Sequence, residues 1–237
     1  MAIYKIAFVS LGPGDPELIT LKGLKALHAS DIIFTPATRS KSGEEFSRSE
    51  SVVLSLGIDA EKVTRFVVPM SRDRAATIEA YEELAKKAAQ LAAGGVKVAI
   101  TAEGDAGFYS SAQYIEEMLW KRNLETERIA GVPAFVDCAR LVKTHIVNQD
   151  SSFEVIAKVE SAEMLLEKMN EDKSIVLMKV SQWEEFIKDA IRRSTNHIFH
   201  YVESCGVEGK EFHTSDTAQI LERKFPYFAI LLIKRRD

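Results

Sequence analysis

The apolar run Ile6–Leu11 empties directly into Gly12-Pro13-Gly14-Asp15-Pro16, and Leu18, Leu21, Leu24 and Leu27 then recur at helical spacing. A second apolar run, Asp31-Ile32-Ile33-Phe34, follows. Strand, glycine loop, helix, strand is a βαβ unit, which commits the chain to parallel neighbours with helices on the sheet faces. The layout is that of a nucleotide-binding unit, yet the loop chemistry argues against phosphate. Pro13 and Pro16 have no N–H to donate, and Asp15 puts negative charge where phosphate would sit. The acid expected to hold a ribose is missing, because the second strand ends in Thr35-Pro36. No Gly-Lys-Ser/Thr follows, which excludes a Walker loop. The loop is either a tight turn with packing value alone or a close backbone approach to a ligand other than phosphate.

The pattern recurs along the first half. Residues Thr35–Ser51 are rich in Ser, Gly and charge and read as a surface connection, either solvated or a lid over a cleft. Val63–Val68 is β-rich, and Ile78, Tyr81, Leu84, Ala88 and Leu91 mark a long helix stopped by Gly94-Gly95. Val96–Thr101 is a strand leading to Ala102-Glu103-Gly104-Asp105-Ala106-Gly107, then a helix with Tyr109, Tyr114, Ile115, Met118 and Leu119. A short strand at Glu127–Ile129 leads to Gly131-Val132-Pro133-Ala134. In a parallel sheet these loops share the C-terminal edge of the strands, where ligands bind. The polar stretch Thr144–Ser152 reads as a linker, giving domains of 1–146 and 147–237. The second half has strands at Phe153–Val159, Ser174–Val180, Ile198–Glu203 and Tyr227–Lys234, alternating with helices, and predicts a mixed sheet. His28, among apolar helix positions, reads as a packing residue, and Met178 as core.

Of the 237 residues, 46% are hydrophobic, enough for a substantial core, and the net charge of −4 counts against nucleic acid. The cysteines, Cys138 and Cys205, are far apart and fit a reducing compartment as small apolar residues. The five histidines show no metal spacing, so no metal is expected. No signal segment and no apolar run of membrane-spanning length is present. The expectation is a cytoplasmic protein without membrane or nucleic-acid partners.

Taken together, the motifs resemble the tetrapyrrole methylase family. Gly12-Pro13-Gly14-Asp15-Pro16 with Leu18-Ile19-Thr20-Leu21-Lys22-Gly23 is similar to its opening signature. Glu103-Gly104-Asp105, Gly131-Val132-Pro133-Ala134 and Val176-Leu177-Met178-Lys179 resemble its later motifs, and Tyr227–Arg235 its last strand. Within the family, Val68-Pro69-Met70 and Phe108-Tyr109-Ser110-Ser111 resemble the branch that methylates precorrin-2 at C(20). The resemblance implies a two-domain α/β enzyme, mainly parallel in the first sheet and mixed in the second. It also implies a homodimer that binds S-adenosylmethionine in a cleft between the domains. Carried over by position, the cofactor contacts are Pro13, Glu103, Gly104, Asp105, Phe108, Pro133, Ala134, Met178 and Cys205. Ala106 stands where proline is common, and Ser204-Cys205-Gly206 departs from the usual strand exit. Pro36, in place of an Asp, argues against the uroporphyrinogen member. A cofactor without phosphate tolerates two prolines, and its sulfonium favours carboxylates and carbonyls. The tetrapyrrole substrate carries carboxylates, for which Arg48 and Arg72 are the candidate ligands, while Arg39 and Lys41 read as solvated charges. Any base for the methylated carbon is one of Glu103, Asp105 and Tyr109. The competing readings are a methylase for ribosomal RNA or another precorrin position, and a nucleotide-sensing module.

Overall fold

A computed structural model describes residues 4–39, 43–69 and 74–236 and divides the chain into two units at Pro133/Ala134. In the first unit the order is β1 (Ile6–Ser10), α1 (Leu21–Ala29), β2 (Ile32–Arg39), β3 (Glu45–Phe46), α2 (Arg48–Ser55), β4 (Val63–Val67), α3 (Arg74–Ala93), β5 (Val98–Ala102), α4 (Ala112–Trp120) and β6 (Thr126–Ile129). Strands β4, β2, β5, β1 and β6 lie side by side and parallel, and the two-residue β3 pairs antiparallel with the end of β2.

Alternation along the central strands builds a core on each face of this sheet. Ile6 and Phe8 of β1 and Val98 and Ile100 of β5 pack with Tyr81, Leu84 and Ala88 of α3 and Ile115 and Leu119 of α4. Val9 and Ala99 point the other way, onto Leu27 of α1 and Val52 and Val53 of α2. Strands covered on both faces are apolar throughout, which is why they read as continuous runs in the sequence.

Two local expectations are corrected. Leu18 belongs to a 3-10 turn, Pro16–Leu18, whose start Asp15 caps by accepting the N–H of Glu17 at 2.9 Å. Helix α1 starts only after Thr20, whose hydroxyl accepts the N–H of Gly23 at 3.1 Å. The buried stripe of α1 therefore runs through Gly23 and Leu27; Leu21 is 76% exposed, and His28 faces water instead of packing. The Thr35–Ser51 segment is also more ordered than expected, since β2, β3 and α2 occupy much of it.

The second unit runs α5 (Ala134–Leu141), β7 (Ser152–Ile156), α6 (Ala162–Met169), β8 (Lys173–Leu177), α7 (Glu184–Arg193), β9 (His197–Glu203), β10 (Phe212–Thr214), α8 (Thr217–Glu222) and β11 (Ala229–Arg235). Its sheet is mixed, in the order β10-β9-β11-β8-β7, with β7 and β8 parallel and the remaining pairs antiparallel. Leu165 and Met169 of α6, Ile187 and Ile191 of α7 and Ile220 of α8 pack onto Ile175, Leu177, Phe199, Tyr201, Leu231 and Ile233. Helix α5 packs against β11, so the division falls before it and not at the 146/147 linker expected from composition. That polar stretch is tied down where Lys234 donates to the His145 carbonyl at 2.9 Å.

Candidate functional site

Three loops meet at the C-terminal edge of the first sheet, because β1 lies between β5 and β6. The loop after β1 and the loop after β5 are joined by reciprocal backbone bonds, Gly104 N–H to Gly12 O at 2.7 Å and Gly12 N–H to Gly104 O at 3.1 Å. Gly12 sits at φ +80° and Gly104 at φ +66°, a region open to glycine without strain. The fully buried Ser10 hydroxyl accepts the N–H of Ala106 at 2.8 Å. Proline at that position would lack the N–H, so the alanine is matched to Ser10.

Asp105 fastens the third loop. One carboxylate oxygen accepts the N–H of Gly107 at 2.8 Å and the other that of Gly131 at 2.7 Å. A β-carbon on Gly131 would stand 2.5 Å from Ser10 Cβ and 2.7 Å from the Gly104 carbonyl oxygen. Glycine is required there by close approach. Thr20 adds a 3.3 Å bond to the Ala130 carbonyl. Phe108 and Pro133 lie half-buried on these loops, with the Phe108 ring edge-on to Tyr109 at 4.9 Å. Tyr109 itself precedes α4, half exposed and left-handed at φ +50°.

Arg48 opens α2, where the sequence suggested a polar loop. Ser47 caps this helix by accepting the N–H of Glu50 at 3.0 Å, and donates to the Pro36 carbonyl at 2.7 Å. Glu50 pairs with Arg65 of β4. So anchored, the first turn of α2 delivers Arg48 to the Pro13 carbonyl at 2.7 Å and the buried Ser49 hydroxyl to Glu103 at 3.5 Å. Burial pushes the Glu103 carboxyl up from its ordinary range, while the charge of Arg48 and the Ser49 hydrogen bond oppose that rise. The sequence reading missed this convergence. Its signal was Ser47 three residues before Glu50, with the apolar Val52-Val53-Leu54 following, a capping-box pattern. Arg39 pairs with Glu45 at 2.7 Å, whereas Arg72 and Lys41 lie outside the described residues.

The other expected cofactor residues belong to the second unit. Ala134 begins α5. Met178 follows β8, half-buried instead of in the core, with its N–H on the Ile156 carbonyl at 2.9 Å and the left-handed Lys179 (φ +56°) next to it. Cys205 is buried, and its thiol donates to Asp137 at 3.0 Å. Contact with Cys138, burial and Asp137 all push this thiol up, so it stays protonated. Asp137, Cys205 and Glu211 bring potential ligand atoms within 4.8 Å of one another. Arg140 pairs with Asp137 at 2.6 Å and approaches Glu211 at 3.9 Å, which makes the cluster an ion-pair network around a neutral thiol.

Among the described residues of these loops, Pro13 and Pro16 have no N–H to give a phosphate, and the N–H groups of Gly12 and Gly104 are spent on each other's carbonyls. What the edge offers is a half-buried carboxylate beside closely packed loop backbone, suited to a cationic ligand without phosphate. Such an edge on a mainly parallel sheet, followed in the chain by a unit with a mixed sheet, defines a two-unit α/β class of protein. The chain belongs to the tetrapyrrole (corrin/porphyrin) methylases, which it matches over residues 5–221. It is 25% identical over 234 residues to a probable cobalt-precorrin-2 C(20)-methyltransferase of Methanocaldococcus jannaschii, covering 98% of this chain and 97% of that protein. It is 26% identical over 238 residues to a precorrin-2 C(20)-methyltransferase of a Sinorhizobium species, covering 98% and 96%. Its fold is similar to that of uroporphyrin-III C-methyl transferase from Thermus thermophilus in complex with S-adenosyl homocysteine, with a TM-score of 0.66, 16% identity and coverage of 97% of each chain.

Proposed function

We propose that this protein transfers a methyl group from S-adenosylmethionine to C(20) of precorrin-2, or of its cobalt-bearing counterpart, in cobalamin biosynthesis. The observation that carries the reading is similarity along essentially the whole chain to two relatives bearing that activity in their names. The phosphate-free loop edge with Glu103 supports it, because a carboxylate in a partly dry site attracts a sulfonium.

Bound S-adenosylmethionine supplies an electrophilic methyl group, and the protein's task is to hold donor and acceptor in line. In this reading the residues assigned to the cofactor are Pro13, Glu103, Gly104, Asp105, Phe108 and Pro133 in the first unit and Ala134, Met178 and Cys205 in the second. Asp105 acts through the loops it clamps, and Phe108 and Met178 offer apolar surface to the adenine. Arg48 and Arg72 are assigned to the substrate carboxylates. The active form is a homodimer working in the cytoplasm, without nucleic acid or membrane. Among the described residues, no helix is long and apolar enough to cross a membrane.

The deciding experiment incubates the protein with methyl-labelled cofactor and with each form of the tetrapyrrole, metal-free and cobalt-bearing, and follows mass and absorbance. One added methyl at C(20) of either form is expected, and methylation at another carbon or of neither form overturns the reading. Arg72→Ala should raise the Michaelis constant for tetrapyrrole with cofactor affinity unchanged. Light scattering at micromolar concentration should return twice the mass of one chain; a single-chain mass removes the dimer.

A further inference from the structure

We infer that Glu103 is the catalytic base that takes the proton lost from the methylated carbon, and that Arg48 and Ser49, at the head of α2, position and tune it. The inference rests on the proposed C-methylation. When an sp² ring carbon bearing hydrogen gains a methyl group, it becomes sp³, keeps that hydrogen, and leaves the macrocycle cationic. Conjugation returns when the C–H bond breaks. Its electron pair goes back to the ring, the cation is discharged, and the proton passes to a base and then to water.

Three side chains on the loop after β5 have acid–base chemistry, and the geometry separates them. Both oxygens of Asp105 accept backbone N–H groups, from Gly107 and Gly131, and that carboxylate fastens two loops together. Protonating it would break the bonds that build the edge. Tyr109 brings a phenol, which already carries the proton that a base must lack. Glu103 remains. It stands at the mouth of β5, half-buried, beside a glycine locked to the first loop, and its side-chain contact with Ser49 is long at 3.5 Å. A carboxylate so placed retains lone-pair capacity for an incoming proton.

The surroundings also set when it is ready. Burial raises its proton affinity toward what a base at neutral pH requires, and Arg48 with Ser49 limits the rise so that the group still ionises. These are the groups that act on Glu103 among the described residues, both from α2; Asp105, two positions along the same loop, is directed to Gly107 and Gly131. The Arg48 charge is itself fixed, because its guanidinium is held by the Pro13 carbonyl at 2.7 Å.

The test compares wild type, Glu103→Gln, Glu103→Asp and Arg48→Gln. It uses S-adenosylhomocysteine calorimetry, single-turnover methylation across pH, and carbon-13 titration of the Glu103 carboxyl in the cofactor-free protein. S-adenosylhomocysteine has a neutral thioether in place of the sulfonium that Glu103 attracts, so Glu103→Gln is expected to bind it within about threefold of wild type. It should methylate ~100-fold or more slowly, with the acid limb of the rate profile gone. Arg48→Gln should move both that limb and the titration midpoint of Glu103 to higher pH. Glu103→Gln turnover near the wild-type rate overturns the inference, as does a loss of cofactor affinity as large as the loss of rate. An unmoved midpoint in Arg48→Gln overturns the tuning role. Should Glu103→Gln lose its circular dichroism, Glu103→Asp decides: intact binding with a large rate loss supports the base, and an unchanged rate removes it. A wild type that binds S-adenosylhomocysteine but methylates neither tetrapyrrole overturns the proposed function and this inference with it.

Discussion

Asp137 and Glu103 are carboxylates with opposite fates. Burial pushes the Asp137 carboxyl up, but hydrogen bonds from Arg140 and Cys205, with the Arg140 charge, outweigh it and hold the group below its ordinary range. A depressed folded-state value means that Asp137 stabilises the fold above its unfolded value, and that this contribution disappears as pH falls through the folded one. Asp137→Asn puts a neutral amide against both donors and should cost about 1–3 kcal/mol near neutrality. Urea unfolding at pH 7 and at about pH 2, well below the unfolded aspartate value of about 3.9, should show the deficit shrinking in acid, and an equal deficit at both would assign the effect to packing. Glu103 carries the reverse sign. Its folded value is raised, so its contribution is fullest below the unfolded value and declines as pH rises through the folded one. Glu103→Gln escapes that decline. Its melting temperature relative to wild type should therefore increase from about pH 4 to neutrality, and a flat difference would contradict the burial of this charge.

At the scale of elements, the three loops behave as one unit because they are bonded to one another and because Gly131 admits no side chain. Gly131→Ala drives a methyl group into Ser10 Cβ and the Gly104 carbonyl, both on rigid backbone. The expected loss is about 1–3 kcal/mol of stability, with weaker S-adenosylhomocysteine binding by calorimetry. Gly57→Ala is the control: at φ +77° with nothing within 4 Å, it should show backbone strain of about 1–2 kcal/mol and unaltered binding. Equal effects on binding from both would detach Gly131 from the site. The loops after β1 and β5 were legible in the sequence because each follows a buried strand, where an apolar run ends abruptly in Gly, Pro and acid, while the loop after the polar edge strand β6 showed only through Gly131-Val132-Pro133. Helix α2 and strand β3 were not, since Ser, Gly and charge dominate their composition, and the three residues of β10 are too few to show alternation. Pro13, Glu103, Gly104 and Asp105 could be named from their motifs. The meeting of Arg48 with Glu103 could not, because it depends on a helix whose only mark is the Ser47 cap. Leu21 and His28 were misplaced for a related reason: a periodic pattern gives the spacing of a face, while the Thr20 cap decides where the helix begins.

At the scale of the whole molecule, charge sets how a polycarboxylate substrate arrives. The chain carries 31 basic against 35 acidic residues, a net charge of −4. Several arginines of the first unit are already paired: Arg39 with Glu45, Arg65 with Glu50, and Arg128 with Glu116. Arg48 adds positive potential only locally, with its guanidinium on the Pro13 carbonyl and its charge acting on Glu103. Long-range attraction of an anionic tetrapyrrole is then absent, and the far field is weakly repulsive. Raising ionic strength from about 10 mM to about 150 mM shortens the screening length from roughly 30 Å to roughly 8 Å. That change should leave kcat/KM for tetrapyrrole level or raise it modestly, because it screens repulsion more than attraction. Contacts made at short range, such as a carboxylate gripped by arginine, are screened less, so the Michaelis constant should respond more to Arg72→Ala than to salt. Stopped-flow association at several salt concentrations separates the two, and a steep fall in the association rate with salt would reveal a basic field that overall composition conceals.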